Sequence, residues 1–234
     1  MSDVSGATPA LRLVRVVKEH RLGSGVVRAL DEVSLEVARG EFLAVMGRSG
    51  SGKSTLLNLV AGIDTPTRGE VWVDGRELSR LSDDALTRLR RDRIGVVYQF
   101  FNLISTLSVR ENVALPAELA GRPAADARAT ADRLIADVGL ESRAESRPHM
   151  LSGGELQRAA IARALVMSPA LILADEPTGN LDTRAADRVL ELLRDLGARA
   201  GATIVLVTHS REAAAAASRV IEIHDGRIAA ETRS

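Results

Sequence analysis

Residues 41 to 61 read Glu41-Phe-Leu-Ala-Val-Met46, then Gly47-Arg48-Ser49-Gly50-Ser51-Gly52-Lys53-Ser54-Thr55, then Leu56-Leu-Asn-Leu-Val-Ala61. The first run is apolar and of strand length, and the last is an apolar helical segment. A buried strand, a glycine loop and a helix therefore follow in that order. Gly47, Gly50 and Gly52 admit backbone conformations closed to other residues, so successive N–H groups can converge on one anion-sized hollow. Lys53 adds a full positive charge where the β and γ phosphates of a nucleotide would lie, and the Ser54 hydroxyl is placed to ligate Mg²⁺. The N-terminal dipole of the helix adds to the same field.

Upstream, Leu11 to Val17, Val26 to Leu30 and Val33 to Val37 are short β-rich runs split by turn-prone residues, which predicts an antiparallel sheet leading into the loop strand. Gly69 to Arg76 reads as a further strand entering an Asp-Gly turn. From about Ser79 to Ala164 the pattern is mostly helical, with Ser82 and Ser108 as caps and an amphipathic stretch from Ala124 to Val138 closed by Gly139. The apolar run Ile94 to Tyr98 interrupts it as a strand. Leu171 to Ala174 and Thr203 to Val207 are fully apolar and separated by a helical segment from about Thr183 to Ala200, which is the pattern of a βαβ unit in a buried parallel sheet. Ile221 to Ile228 closes the chain as a hairpin, and Ala213 to Ala217 reads as helix. Phe42 and Trp72 are expected in the core.

Parallel sheets hold ligands at the carboxyl ends of their strands. Asp175 and Glu176 end one such strand. Asp175 suits a Mg²⁺ contact, through water, and Glu176 can polarise a water attacking a γ-phosphate. His209 ends the next strand, where it can donate to the γ-phosphate or hold the attacking water in line. Gln99 follows Tyr98, and its amide can reach Mg²⁺ or the attacking water. A second glycine sequence, Leu151-Ser152-Gly153-Gly154-Glu155, has two compatible readings. Ser152 and Glu155 form a Ser-x-x-Glu capping box that starts a helix. The two glycines also leave the first-turn N–H groups bare, with a serine hydroxyl beside them, ready for an anion. Tyr98, Phe100 and Phe101 are three of only five aromatic residues, so they mark either an interface anchor or local core packing.

The 234 residues and 45% hydrophobic content supply a sizeable core for one large domain. Thirty-one basic and 31 acidic residues cancel, which gives no overall field for nucleic acid or an anionic membrane surface. No apolar run approaches about 18 residues, and Met1 to His20 lacks the apolar core of a signal peptide. The expectation is a cytoplasmic chain with no direct membrane insertion, reaching a membrane only through another protein. Without cysteine there are no disulfides and no thiolate metal sites.

The set Gly47 to Thr55, Gln99, Leu151 to Glu155, Leu171 to Glu176, Asn180-Leu-Asp182 and His209 resembles, in order and spacing, the nucleotide-binding subunit of ABC transporters. The resemblance runs from about Leu11 to Ala230. It implies an α/β P-loop NTPase with a RecA-like core, an N-terminal antiparallel β subdomain and an inserted α-helical subdomain. The whole chain is expected to be one domain, with the core at 1–98 and 165–234 and the helical part at 99–164. ATP and Mg²⁺ are the implied cofactors. Residue by residue, the resemblance implies a phosphate loop at Gly47 to Thr55 and a catalytic set of Lys53, Gln99, Glu176 as base and His209 as switch. Mg²⁺ would be held by Ser54, Gln99 and Asp175. Two copies would pair head to tail, so that Ser152 to Glu155 of one meets ATP held by the other, with Asn180 to Asp182 at the seam. An integral membrane permease is the implied partner.

Tyr98 to Leu103, Arg110-Glu-Asn-Val113 and Ala174 to Asp182 look most like the branch for lipoprotein release, macrolide export and antimicrobial-peptide resistance. Three departures stand out. No aromatic residue near the first strand is available to stack on adenine, and His20 occupies the best matching position. Glu155 replaces the commoner glutamine, and Ser210 replaces a frequent acidic residue. Two other classes compete with a transporter ATPase: a soluble ATPase of this type acting on nucleic acid or ribosomes, and an ATP-gated scaffold that does not hydrolyse. The neutral charge opposes the first, and the full catalytic set opposes the second.

Overall fold

The computed structural model describes residues 8–23 and 25–233. The amino-terminal half contains β1 (Leu11–Leu22), β2 (Gly25–Val37), β3 (Phe42–Met46), α1 (Lys53–Val60), β4 (Arg68–Val73), β5 (Arg76–Glu77), α2 (Asp83–Arg93) and β6 (Ile94–Tyr98). Three helices follow, α3 (Val109–Leu119), α4 (Ala124–Asp137) and α5 (Gly153–Leu165). The remainder is β7 (Leu171–Asp175), α6 (Thr183–Ala200), β8 (Thr203–Thr208), α7 (Arg211–Ala214), β9 (Arg219–His224) and β10 (Arg227–Arg233). These form two sheets, an antiparallel one ordered β2-β1-β4-β5 and a six-stranded one ordered β10-β9-β3-β8-β7-β6. In the larger sheet β9, β3, β8, β7 and β6 run parallel, and β10 returns antiparallel.

β3, β6, β7 and β8 are apolar at nearly every position because both faces are covered, whereas β9 alternates apolar with polar residues. Alternate residues serve two cores. Leu43, Val45, Leu171, Leu173, Val205 and Val207 pack with α1 and the antiparallel sheet. Ala44, Ile172, Ala174, Ile204 and Leu206 pack with residues of α3 to α6. The chain reverses between β9 and β10 at Asp225-Gly226, with φ of 46° and 76°, and between β4 and β5 at Asp74-Gly75, with φ of 50° and 76°. Two successive left-handed residues suit the twist of the flanking strands, and Asp-Gly supplies them at low steric cost.

Three sequence expectations need correction. The helix expected from Ala213 to Ala217 is α7, which starts earlier, at Arg211 after the Ser210 cap, and stops at Ala214 with Ala215 as its C-cap, so Ala216 and Ala217 lie outside it. Val26 to Leu30 and Val33 to Val37 are not separate strands but one continuous β2, irregularly paired with β1 around Asp31 and Glu32. Glu32 takes φ 52°, so a bulge absorbs the turn-prone pair without ending the strand. Trp72 is half-buried instead of central, because its indole N–H donates to Glu70 Oε2 at 2.8 Å on the sheet surface, whereas Phe42 is buried as expected.

Candidate active site and a second half-site

Register alone assembles the first site. Met46 pairs with Thr208, Val207 with Asp175, and Asp175 with Tyr98, so the parallel strands end nearly level. The residues just beyond them (Gly47, His209, Glu176 and Gln99) therefore meet at one edge, where α1 also begins. A cavity of about 570 Å³ opens there, lined by Ser49, Gly50, Gly52, Lys53, Ser54, Thr55, Gln99, Asp175, Glu176, His209 and, from β2, Ala29.

The loop is shaped by close backbone approach. A Cβ at Gly52 would meet the Ala29 carbonyl at 2.3 Å, and one at Gly47 would meet the Ile223 carbonyl and Ser51 Oγ at 2.5 Å, so larger residues are excluded at both positions. Lys53 is mostly buried and folds back over the loop, donating from Nζ to the carbonyls of Gly47 (2.7 Å) and Arg48 (2.9 Å). That places its charge inside the loop. Ser51 Oγ is buried there with no hydrogen-bond partner.

Asp175 and Glu176 stand at the strand end. Burial, reinforced by the neighbouring Glu176 charge and only partly offset by Lys53, pushes the Asp175 carboxyl above its ordinary range. A cation at that position would relieve this cost. Glu176 is held at both oxygens: His209 Nδ1 lies 2.7 Å from Oε1, and the Thr208 hydroxyl lies 3.1 Å from Oε2. Among the described residues no group of three or more His, Cys, Asp or Glu converges as a metal cage. A divalent cation here would have the Asp175 carboxylate, the Ser54 hydroxyl and the Gln99 amide as oxygen donors, and nucleotide oxygens and water for the rest. That donor set fits Mg²⁺.

His20 is not among the lining residues. It is exposed on β1 opposite Val27 on β2, and Val26 and Val27 beside it are exposed as well.

The second glycine sequence folds as the capping box predicted for it. Ser152 Oγ accepts from Glu155 N–H at 3.4 Å, and Glu155 Oε2 accepts from Ser152 N–H at 2.8 Å. The hydroxyl also donates to Glu155 Oε2 at 2.7 Å, so it is engaged, not idle, in the single chain. The Ser152 backbone and hydroxyl donors, helped by Arg143, hold the Glu155 carboxyl below its ordinary range. A second cavity, of about 560 Å³, opens over this helix start and is lined by Ser152 to Glu155, Arg158, Asn180 to Asp182, Arg184 and Arg188. Asp182 caps α6 by accepting from Ala185 N–H at 2.9 Å. Asn180 reaches from this cavity to the first one, accepting from Gln99 Nε2 at 3.4 Å and donating to the Gln99 carbonyl at 3.1 Å.

Sequence reasoning missed Arg163. It stands on α5, buried enough that desolvation lowers its pKa, and it donates to the carbonyls of Asn102 and, at 2.9 Å, of Phe101. Those two residues sit at φ 49° and 62°. An arginine between Ala162 and Ala164, among the buried alanines of α5, was the available signal. It ties the segment after Gln99 to the helix that begins at Ser152. Of the aromatic cluster, Phe100 is 72% exposed, while Tyr98 and Phe101 are half-buried.

A nucleotide-sized loop, a carboxylate pair and an imidazole on one sheet edge, beside a second glycine helix start, define a phosphate-handling α/β fold of the P-loop type. The family model described as ABC transporter matches residues 30–179. The chain belongs to that family. It is 49% identical over 226 residues to the lipoprotein-releasing system ATP-binding protein LolD of Anaeromyxobacter dehalogenans, covering 96% of this chain and 95% of that one. It is 48% identical over 226 residues to a macrolide export ATP-binding/permease protein MacB of Paracoccus denitrificans, covering 97% of this chain but 34% of that protein. The chain thus spans about a third of the length of the macrolide-export relatives it matches. Among solved structures, the dimeric post-hydrolysis state of the ATP-binding cassette MJ0796 bound to ADP and phosphate superposes with a TM-score of 0.87 at 42% identity, covering 95% of this chain and 98% of that one.

Proposed function

We propose that this chain binds and hydrolyses ATP and so energises a membrane permease, as one of two cassettes that close around nucleotide. The observation that carries this reading is the meeting of Lys53, Ser54, Gln99, Asp175, Glu176 and His209 around one cavity at the carboxyl edge of the parallel sheet. The loop N–H groups and Lys53 bind the β and γ phosphates. Mg²⁺, held by Ser54, Gln99 and Asp175, supplies charge neutralisation on the phosphates. Glu176 accepts the proton of a water whose oxygen bonds to the γ phosphorus while the bond to the β–γ bridging oxygen breaks. His209, 2.7 Å from Glu176 Oε1, is within reach to turn toward the γ-phosphate. Nearly all of the catalysis is positioning and electrostatics.

The second cavity holds donors, with both of its carboxylates engaged as helix caps, and it serves as the half-site for ATP carried by a partner copy. Gly153 and Gly154 offer first-turn N–H groups, and Arg158 lines the same hollow. The likeness to a dimeric cassette supports this pairing. His20 with Val27 forms the edge against which adenine rests. The segment at Phe100 and Phe101, with Phe100 exposed, and the neighbouring helical lobe face the permease, through which the chain sits at the cytoplasmic face of the membrane. No helix among the described residues is long and apolar enough to cross a membrane. Lipoproteins and macrolides are the cargo classes in the names of the matched relatives, and the resemblance of its motifs adds peptides and other drugs.

The test is Glu176→Gln. Turnover is expected to fall by roughly 10²- to 10⁴-fold, the usual share of a general base, while ATP binding persists and ATP-bound dimers accumulate. Full turnover in this variant would remove Glu176 from the role.

A further inference from the structure

We propose that Thr208 is a positioning residue for Glu176, a fixed tether that keeps the carboxylate aimed while His209 moves. The proposal rests on the reading of Glu176 as the general base. β8 ends at Thr208, whose side chain is fully buried. Its hydroxyl oxygen accepts from the Ser210 backbone N–H at 3.1 Å and lies 3.1 Å from Glu176 Oε2. An ionised carboxylate can only accept, so the single hydroxyl proton points at Oε2. A β-branched side chain is stiff at χ1, and Thr208 pairs with Met46 inside the sheet, so this donor is fixed relative to the whole scaffold.

The rest of Glu176 is tied to the same strand. It sits in the left-handed region at φ 45°, and its N–H donates to the Val207 carbonyl at 2.9 Å. Val207 thus holds its backbone and Thr208 its carboxylate. His209, in contrast, lies one residue beyond the strand with its ring 69% exposed. Of the two side chains on the Glu176 carboxylate, only the imidazole can leave without disturbing the sheet. Once it turns away, Oε1 is free to take the water proton. The bond from Thr208 to Oε2 then keeps the carboxylate from swinging out of line. Two tethers with unequal freedom divide the work: one gates the base and the other aims it.

Steady-state ATP hydrolysis by the full chain with Thr208→Val, Thr208→Ala and Thr208→Ser tests this. Loss of the hydroxyl in the Val and Ala variants should lower kcat roughly tenfold or more, as expected for a lost hydrogen bond to a charged group. KM for MgATP and ATP-driven dimerisation should stay as in the parent, and the Ser variant should recover most of the rate. If the Val variant folds poorly, the comparison of Ser with Ala decides. Equal kcat in Ala, Val and Ser variants would overturn the proposal, as would a rise in KM that matches the fall in kcat. A fully active Glu176→Gln variant would sink the base reading itself. An inactive Glu176→Gln beside a fully active Thr208→Ala would sink the tether alone.

Discussion

The two cavities are nearly equal in volume, about 570 and 560 Å³, and unlike in chemistry. The first is lined by a lysine, two carboxylates, an imidazole, a hydroxyl-bearing loop and an amide, which together can bind a triphosphate and cleave it. The second is lined by a helix start and by Arg158, Arg184 and Arg188. Its two carboxylates are already occupied, Asp182 in capping α6 and Glu155 in the capping box of α5. Arg158 Nε is buried there without a partner. One site is chemically complete, and the other offers donors to an anion that its own chain does not bring. Within one copy the second glycine sequence caps α5; on the proposed reading it gains a second use, as a half-site, once two copies face each other. Asn180, bonded to Gln99 across the gap, makes the two sites neighbours within each chain.

If the division of labour holds, changes at the two sites should differ in kind. Lys53→Ala is expected to have the largest effect. Removing the ammonium should lower MgATP affinity about 100-fold, since each charge-assisted hydrogen bond contributes about 1.5–3 kcal/mol; titration calorimetry on the chain measures it. Unchanged affinity would break the comparison at its first term. Gly154→Asp is the matching change at the second site. An acidic residue in the first turn favours the helix itself, but its Cβ would lie 3.3 Å from Ala185 Cβ, so α6 must give by a few tenths of an ångström and circular dichroism of the variant is the control for folding. A carboxylate placed where a phosphate must dock should leave ATP affinity of the isolated chain unaltered while reducing ATP-driven dimerisation and turnover at least roughly tenfold through like-charge repulsion. Loss of binding in the single chain would show that the second sequence acts in its own subunit.

The division was legible in the sequence to different depths. Gly47 to Thr55 and Ser152 to Glu155 could be read locally, because a glycine loop between strand and helix and a Ser-x-x-Glu box encode their geometry in neighbouring residues. The meeting of Gln99, Glu176 and His209 followed from the rule that parallel strands present ligands at their carboxyl ends. What the sequence hid were contacts between distant residues whose local patterns are ordinary. Arg163 is 61 residues from the Asn102 carbonyl it binds, and Thr208 is 32 residues from Glu176. The continuity of β2 was hidden for another reason: its turn-prone Asp31-Glu32 pair is overridden by pairing with β1, a tertiary effect that local propensity does not register.

Phe100 probes the bridge between the two regions. It follows Gln99 of the first site, and Arg163 fastens the next two carbonyls to the helix that opens the second. The structure favours Phe100 over Phe101 as the anchor, because Phe101 is half-buried and its ring lies near Gly153. Phe100→Ser should leave ATP hydrolysis by the isolated chain unchanged and weaken binding to the proposed permease by about 30-fold, the scale of a buried aromatic hot spot near 2 kcal/mol. Normal partner binding in reconstituted complexes would move the docking surface elsewhere.

The smallest expected effect concerns Glu155. Donors from Ser152 depress its folded pKa, with Arg143 adding to the effect. The cap it provides is therefore fully present above the ordinary glutamate value of about 4.3. It is lost as pH falls from there through the lower folded value. Hydrogen exchange in the first turn of α5 should accelerate over that window relative to the last turn of the same helix. Glu155→Gln keeps a side-chain carbonyl to accept the Ser152 N–H but cannot titrate, so its first turn should show no such acceleration. In the titrating parent, protonation also frees Ser152 Oγ from Oε2, the oxygen it now serves at 2.7 Å. A hydroxyl held by Glu155 is not available to a phosphate, so the amide variant, with a weaker acceptor beside Ser152, should dimerise with ATP slightly more readily than the parent at neutral pH. Equal or weaker dimerisation by Glu155→Gln would mean that the Ser152 hydroxyl stays with its cap when the two copies meet, leaving the glycine N–H groups to hold the anion.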